Sequence, residues 1–304
     1  MYTGGNPMFL KINENNVYYE IFGEGIPIIT IHGFTVDHRL MKGFLEKIIT
    51  EKNYKRIYFD LPGMGKTETN KQMYKAEEMY EVIKSVIRNL IGEEKYIIVG
   101  ESYGGYLIRK LIKEEPEKII GAMFLCPVVV ANERERIIPE HEIIYNEIVD
   151  KIFLESEVYK NFISVAAFSN MEILKEFQQN IYSGIKIGNE EFLSKYYQNG
   201  YSFSEDIDDI EKPFRDPTLF VMGRQDHFVG YKDSLKILDN YSRATICVID
   251  EAGHNVQIEK IKIIETLTLD WLERIDRNKN KNASTSPNRS VYASPLERLG
   301  VMFG

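Results

Sequence analysis

One stretch constrains this chain more than any other: Ile97-Ile98-Val99-Gly100-Glu101-Ser102-Tyr103-Gly104-Gly105-Tyr106. It reads as a buried strand, a serine flanked by glycines, and a helix that begins at once. In the pattern G-x-S-x-G, the serine occupies a strained strand-to-helix turn that holds its Oγ clear of the backbone. Gly100 and Gly104 are required because a Cβ at either position would meet neighbouring chain. A serine hydroxyl is a weak nucleophile unaided, so the pattern gains meaning only with a base, an acid behind it and a site for an oxyanion.

The flanking chain alternates strand and helix. Met8 to Ile12 and Val17 to Phe22 form an opening hairpin around Asn13-Glu14-Asn15-Asn16, and Pro27 to Ile31 is a continuously apolar, β-branched strand ending in His32-Gly33-Phe34. Arg39 to Glu51 carries Leu40, Phe44, Leu45, Ile48 and Ile49 on one helical side. A strand at Arg56 to Asp60 runs into the turn-rich Leu61-Pro62-Gly63-Met64-Gly65, and a helix over Met73 to Ile91 closes at Gly92. The elbow strand Tyr96 to Val99, a helix from Tyr103 to Glu115 stopped before Pro116, and a strand from Ile119 to Cys126 follow. This rhythm argues for a parallel sheet with helices on both faces.

From Asn132 to about Lys212 the rhythm breaks into helical, aromatic-rich sequence, including Phe153, Phe162, Phe177, Tyr196, Tyr197 and Tyr201. It resumes with strands at Thr218 to Met222 and Thr245 to Ile249, a helix near Tyr231 to Tyr241, and a long helix from about Gln257 to Arg274. The economical division is a core of residues 1–131 and 213–275, a helical cap inserted at 132–212, and a polar tail at 276–304. The tail, which begins Asp276-Arg277-Asn278-Lys279-Asn280, reads as disordered or appended and lies outside the core.

Composition excludes several classes. The net charge of -8 and the scatter of Lys and Arg argue against nucleic acid and against anionic membrane surfaces. Cys126 and Cys247 lie in apolar strand-like runs and read as small buried hydrophobes, with no disulfide framework. No basic-then-apolar leader opens the chain and no run reaches membrane-span length, which leaves a cytoplasmic location as the expectation. The five histidines show no metal-ligand spacing, so neither metal nor cofactor is expected.

Catalytic groups in open α/β sheets gather at the carboxyl ends of strands. That filter selects Ser102, then Asp226 in Gly223-Arg224-Gln225-Asp226-His227, then His254 in Glu251-Ala252-Gly253-His254-Asn255. The chain order is Ser, Asp, His. With these residues, His32-Gly33-Phe34 and Asp60-Leu61-Pro62-Gly63-Met64-Gly65, the sequence resembles the α/β-hydrolase fold family, in its capped esterase- and lipase-like branch, from about Met8 to Arg274.

The resemblance implies a mostly parallel eight-stranded sheet under a helical cap, with Ser102 as nucleophile, His254 as general base and Asp226 as its carboxylate. It further implies an oxyanion hole from the backbone N–H groups of Phe34 and Tyr103, with His32, Gly33, Gly100 and Gly104 shaping the site. An acid after the sixth strand is excluded by Cys126-Pro127-Val128-Val129-Val130, which offers no carboxylate before Glu133; Asp250 ends a strand and faces solvent or caps a turn. Tyr103 counts for its N–H more than its ring, Glu101 receives no chemistry, His227 reads as a loop residue lining the pocket, and His38 and His141 receive no role.

Gly63-Met64-Gly65-Lys66-Thr67 imitates the close of a phosphate-binding loop, but the required first glycine is replaced by Asp60, whose charge would repel phosphate. The expected activity is a serine hydrolase cleaving a small or medium hydrophobic acyl ester, with amide, thioester or carbon–carbon bonds as variants. His32-Gly33-Phe34-Thr35 lacks the Gly-rich continuation seen in carbon–carbon hydrolase-like relatives, and a serine elbow disfavours dehalogenase chemistry. A ligand-sensing protein that keeps the triad, and a cofactor-free haloperoxidase-like activity, are the alternatives.

Overall fold

The computed structural model describes residues 8–50, 53–69, 75–148 and 154–284. Its strands are β1 (Met8–Ile12), β2 (Asn15–Phe22), β3 (Ile26–Ile31), β4 (Tyr54–Phe59), β5 (Tyr96–Glu101), β6 (Ile119–Leu125), β7 (Tyr145–Asn146), β8 (Phe168–Ser169), β9 (Thr218–Gly223) and β10 (Ala244–Ile249). Among the described residues eight of them form one sheet in the order β1-β2-β4-β3-β5-β6-β9-β10. The β1–β2 and β2–β4 pairings are antiparallel, and the rest of that sheet is parallel.

The burial pattern follows the sequence. β5 and β9 are buried at every position, as continuous apolar strands covered on both faces must be. β10 lies at the edge and is only half-buried, so Cys247 is less enclosed than expected, whereas Cys126, just beyond β6, is fully buried. Helix α1 (His38–Ile48) is capped by Asp37, whose side chain accepts the Arg39 N–H, and buries Leu40, Met41, Phe44, Leu45 and Ile48. Each such side chain contributes about 1.5–3 kcal/mol when fully covered.

Helix α2 (Ala76–Ile91) ends at Gly92, where φ is +62°. It is tied to α3 (Tyr103–Glu114) by the Tyr80 hydroxyl, which donates to Glu114 at 2.7 Å. The C-terminal helix Ile261–Ser284 buries Trp271, whose Nε1–H donates to the Pro217 carbonyl at 2.9 Å. This helix overruns the boundary expected at residue 275. Asp276 accepts from the Tyr54 hydroxyl, and Asn278 bonds both Asp216 and Arg243, so the polar composition there marks a helix end seated on core loops. Residues 285–304 of the expected tail lie outside the described residues.

Between β6 and β9 the chain forms helices Glu157–Ile163, Met171–Phe177 and Glu190–Asn199, with a π-helical turn at Gln178–Tyr182. Ser156, Asn170 and Asn189 cap the three helices by accepting the N–H groups of Tyr159, Ile173 and Phe192. The two-residue strands β7 and β8 pair only with each other.

Candidate active site

The elbow is strained where the sequence pattern requires it. Ser102 has φ 51° and ψ −115°, a backbone conformation that a side chain tolerates only when its surroundings hold it there. Those surroundings are crowded: a Cβ on Gly104 would lie 2.1 Å from the Ile31 carbonyl oxygen, and one on Gly100 would lie 2.7 Å from that of Gly104. The Ser102 N–H donates to Leu125, and its carbonyl accepts from Val128, which pins the turn to the end of β6.

His254 and Asp226 converge on this serine. His254 Nε2 lies 3.0 Å from Ser102 Oγ, and His254 Nδ1 lies 2.9 Å from Asp226 Oδ2. A carboxylate only accepts, so Nδ1 carries the hydrogen and Nε2 of the neutral ring is free to accept from the serine. Asp226 Oδ1 receives the N–H groups of Phe228 and Val229, at 2.9 and 3.2 Å. Burial pushes the Asp226 carboxyl up, yet His254 and these donors hold it below its ordinary range. Burial pushes the His254 imidazole down, and the Asp226 carboxylate, with Glu101 behind it, outweighs that and raises it to about 9. Asp250 is exposed and bonds Gln225.

The residues expected to shape an oxyanion hole sit beside the serine. A Cβ on Gly33 would lie 3.1 Å from Ser102 Cβ, and the backbone at Thr35 has φ 69°, a second strained position next to the first. Neither the Phe34 nor the Tyr103 backbone N–H donates to an acceptor among the described residues. Buried His32 receives the Leu61 N–H on Nε2 at 3.0 Å, which leaves Nδ1–H to donate to the Gly33 carbonyl at 2.7 Å. Burial pushes its pKa down, so it stays neutral and acts as a brace for the loop.

Ser102 and His254 open into a cavity of about 460 Å³ walled by Phe34, Val36, Leu40, Phe177, Ile181, Tyr197, Tyr201 and Phe228. Polar groups enter it from Glu133 and Arg136; the Tyr197 hydroxyl donates to Glu133, and Arg136 bonds the carbonyls of Val130, Ala131 and Phe228. His227 does not line this cavity. It lies against His141, with the ring centroids 4.3 Å apart and the planes tilted, and its neighbour Phe228 takes the lining position.

Several site residues were not legible in the sequence. The Tyr103 ring is fully buried, stacks on Tyr201 at 4.1 Å and bonds the Tyr196 hydroxyl and the Tyr201 carbonyl, so it anchors the inserted segment onto the elbow. Arg109 and Lys110 of α3 pair with Asp208 and Glu205 and tie down the far end of the insertion. Glu259 accepts the N–H groups of Ala167, Phe168 and Gly253 with one carboxylate. Glu101 is buried beside Ser102; the signal for it was a charged residue closing an otherwise apolar strand.

The phosphate-loop imitation is filled from within. Asp60 accepts the Lys66 N–H, and Thr67 bonds the Asp60 carbonyl and receives the Tyr18 N–H. Asp60 also bonds His38 Nδ1 at 2.6 Å, giving that histidine a structural partner the sequence did not disclose. Among the described residues two groups, Cys126-Asp226-His254 and Asp37-His38-Asp60, gather three metal-type ligand atoms within 4.8 Å. In both, imidazole and carboxylates already bond one another and backbone or side-chain N–H groups, and we assign a metal to neither.

The fold and this constellation define a hydrolase architecture. The chain belongs to the α/β-hydrolase fold family, whose model matches residues 26–261. Among curated relatives it is 24% identical over 286 residues to a 2-hydroxy-6-oxo-6-phenylhexa-2,4-dienoate hydrolase of Comamonas testosteroni, covering 89% of this chain and 98% of that one. It is 19% identical to the mouse monoacylglycerol lipase ABHD6, covering 84% and 77%. Among solved structures, an alpha/beta superfamily hydrolase from Oenococcus oeni PSU-1 superposes with a TM-score of 0.80 at 27% identity, over 86% of this chain and 96% of that one. An esterase from Exiguobacterium antarcticum gives a TM-score of 0.69 at 16% identity, over 88% and 99%. Among the described residues no helix is long and apolar enough to cross a membrane.

Proposed function

We propose that the chain is a serine hydrolase that cleaves a small or medium, hydrophobic carboxylic ester through an acyl-enzyme. The observation that carries this reading is the line from Asp226 through His254 to Ser102 Oγ, with 2.9 and 3.0 Å contacts, at the floor of an aromatic-walled cavity. Ser102 Oγ attacks the acyl carbon as its proton passes to His254 Nε2, and Asp226 stabilises the imidazolium. The oxyanion is received by the N–H groups of Phe34 and Tyr103; the Nε2 proton then goes to the departing alkoxide. Water, activated by the same imidazole, attacks the acyl-enzyme, and the collapse of that intermediate returns the proton to Ser102. No cofactor takes part, and the partner is a small acyl substrate.

The dienoate hydrolases among the relatives favour one second reading, hydrolysis of a carbon–carbon bond next to a ketone by the same residues. Fluorophosphonate labelling followed by mass mapping tests the site, with modification expected at Ser102. Labelling at another serine, or none in folded protein, overturns it. Turnover of short-chain aryl esters against a vinylogous diketone, each lost in Ser102→Ala, separates ester from carbon–carbon cleavage.

A further inference from the structure

His254 Nε2 faces two groups. Ser102 Oγ lies 3.0 Å away, and Glu101 Oε1 lies 3.4 Å away on the neighbouring residue. Glu101 is 1% exposed, and its Oε1 is buried without a hydrogen-bond partner. The remainder of the carboxyl is held by the Gly33 backbone N–H, and a Cβ on Gly33 would come within 2.3 Å of Oε2. The glycine of the oxyanion loop therefore leaves room for this carboxyl as well as for the serine. Filling that space with a polar side chain whose oxygen lacks a donor is costly unless the oxygen is used at some stage.

The use follows from the two states of the ring. In neutral His254, Nε2 is an acceptor and the serine hydroxyl donates to it; a carboxylate at the same nitrogen is then repelled. In the imidazolium, Nε2–H is a donor, and Glu101 Oε1 is the buried acceptor waiting for it. The geometry points to Glu101 as a second carboxylate of the base, a positioning residue that holds the His254 imidazolium from the Nε2 side and sets how alkaline the medium must be before the base is free. This inference rests on the reading of Ser102 and His254 given above.

The surrounding charges act in both directions, and the carboxylates prevail. Asp226 favours the imidazolium from the Nδ1 side, and Arg136 on the facing loop opposes it. Glu133 beside Arg136 is bonded by Tyr197, Cys126 behind Asp226 is pushed far up by burial, and burial also keeps His227 low. Among the described residues no Lys or Arg bonds Glu101. Burial pushes its carboxyl up to about 7, and the acidic pair holds His254 at about 9. Between those values the carboxylate and the imidazolium coexist, titrating as a coupled pair, and the base becomes competent as pH rises through the upper one. Below about pH 7 Glu101 takes up a proton and its hold is released.

The test is Glu101→Gln, which keeps an acceptor for Gly33 and removes the charge. The acidic limb of kcat/KM should move down by about 1 pH unit, and the His254 imidazole resonance should titrate lower by the same amount. Glu101→Asp, with its carboxylate drawn back one carbon, should give a smaller shift. A His254 titration unchanged in folded Glu101→Gln overturns the assignment, and so does a limb that moves without it. Should that variant fail to fold, glutamate-labelled wild type decides: a Glu101 carboxyl resonance stepping together with the His254 ring supports the pairing, and an uncoupled step near pH 4 ends it. The resonance measurements need no turnover, so failure of the hydrolase reading would leave their result intact.

Discussion

Two histidines of the molecule, one buried and one part-buried, are of nearly the same construction, and only one faces a serine hydroxyl. His254 has Asp226 at Nδ1, 2.9 Å away, and Glu101 near Nε2 at 3.4 Å; His38 has Asp60 at Nδ1, 2.6 Å away, and Glu20 near Nε2 at 3.3 Å. Both rings are raised to about 9 against the effect of burial. The differences lie outside the pair. Glu20 is bonded by Lys42 and the Tyr18 hydroxyl, which with His38 hold its carboxyl well below the usual range although burial pushes it up. Glu101 has no such cation, and His254 opens onto Ser102 and a cavity. An imidazole between two carboxylates is thus closed off by a cation and a hydroxyl in one place and open to a serine and a cavity in the other, according to which groups complete the shell.

The largest break in this comparison comes from Asp226→Asn. It preserves shape but disturbs the tautomer of His254, and kcat for an aryl ester should fall about 10⁴-fold with the thermal midpoint little changed. The matching change on the other side, His38→Gln, should leave kcat of the folded protein unaltered while lowering unfolding free energy by about 3 kcal/mol, because Asp60 and Glu20 lose their shared cation. Fluorescence of Trp271, the single tryptophan, followed through urea denaturation measures this.

The pH dependence sharpens it further. The folded His38 value of about 9 exceeds the ordinary 6.5, so its stabilisation is fully present below about pH 6.5 and is lost as pH rises through 9. The stability gap between wild type and His38→Gln should therefore shrink from about pH 6 to about pH 10; a constant gap would show that the ring holds no charge. The smallest effect belongs to Tyr103→Phe, which removes the hydroxyl contacts to Tyr196 and Tyr201. It should lower unfolding free energy by about 1 kcal/mol, seen as a small shift in the urea midpoint.

What sequence reading can reach is visible in the same pair. Ser102, Asp226 and His254 were legible because each follows a strand at the sheet's carboxyl edge, a place that chain order alone identifies. His38 is not, since its partners Glu20, on β2, and Asp60, just past the end of β4, meet it only through the packing of α1. An elbow pattern leaves the position of Glu101 open, and it gives the N–H of Tyr103 more weight than its ring because Tyr196 and Tyr201 lie more than ninety residues away. The tail boundary slipped for a related reason. Polar sequence after Ile275 has the composition of a loose end, and only the contacts of Asp276 and Asn278 reveal a docked one.

Glu259 carries a mechanical consequence. Its single carboxylate grips the backbone of Ala167 and Phe168, in the segment between β6 and β9, and of Gly253, the residue before His254. Gly253 lies so close to that wall that a Cβ there would come within 2.5 Å of the Val165 carbonyl oxygen. That segment and His254 are fastened by one rivet. A wall fixed in this way swings only if the histidine travels with it.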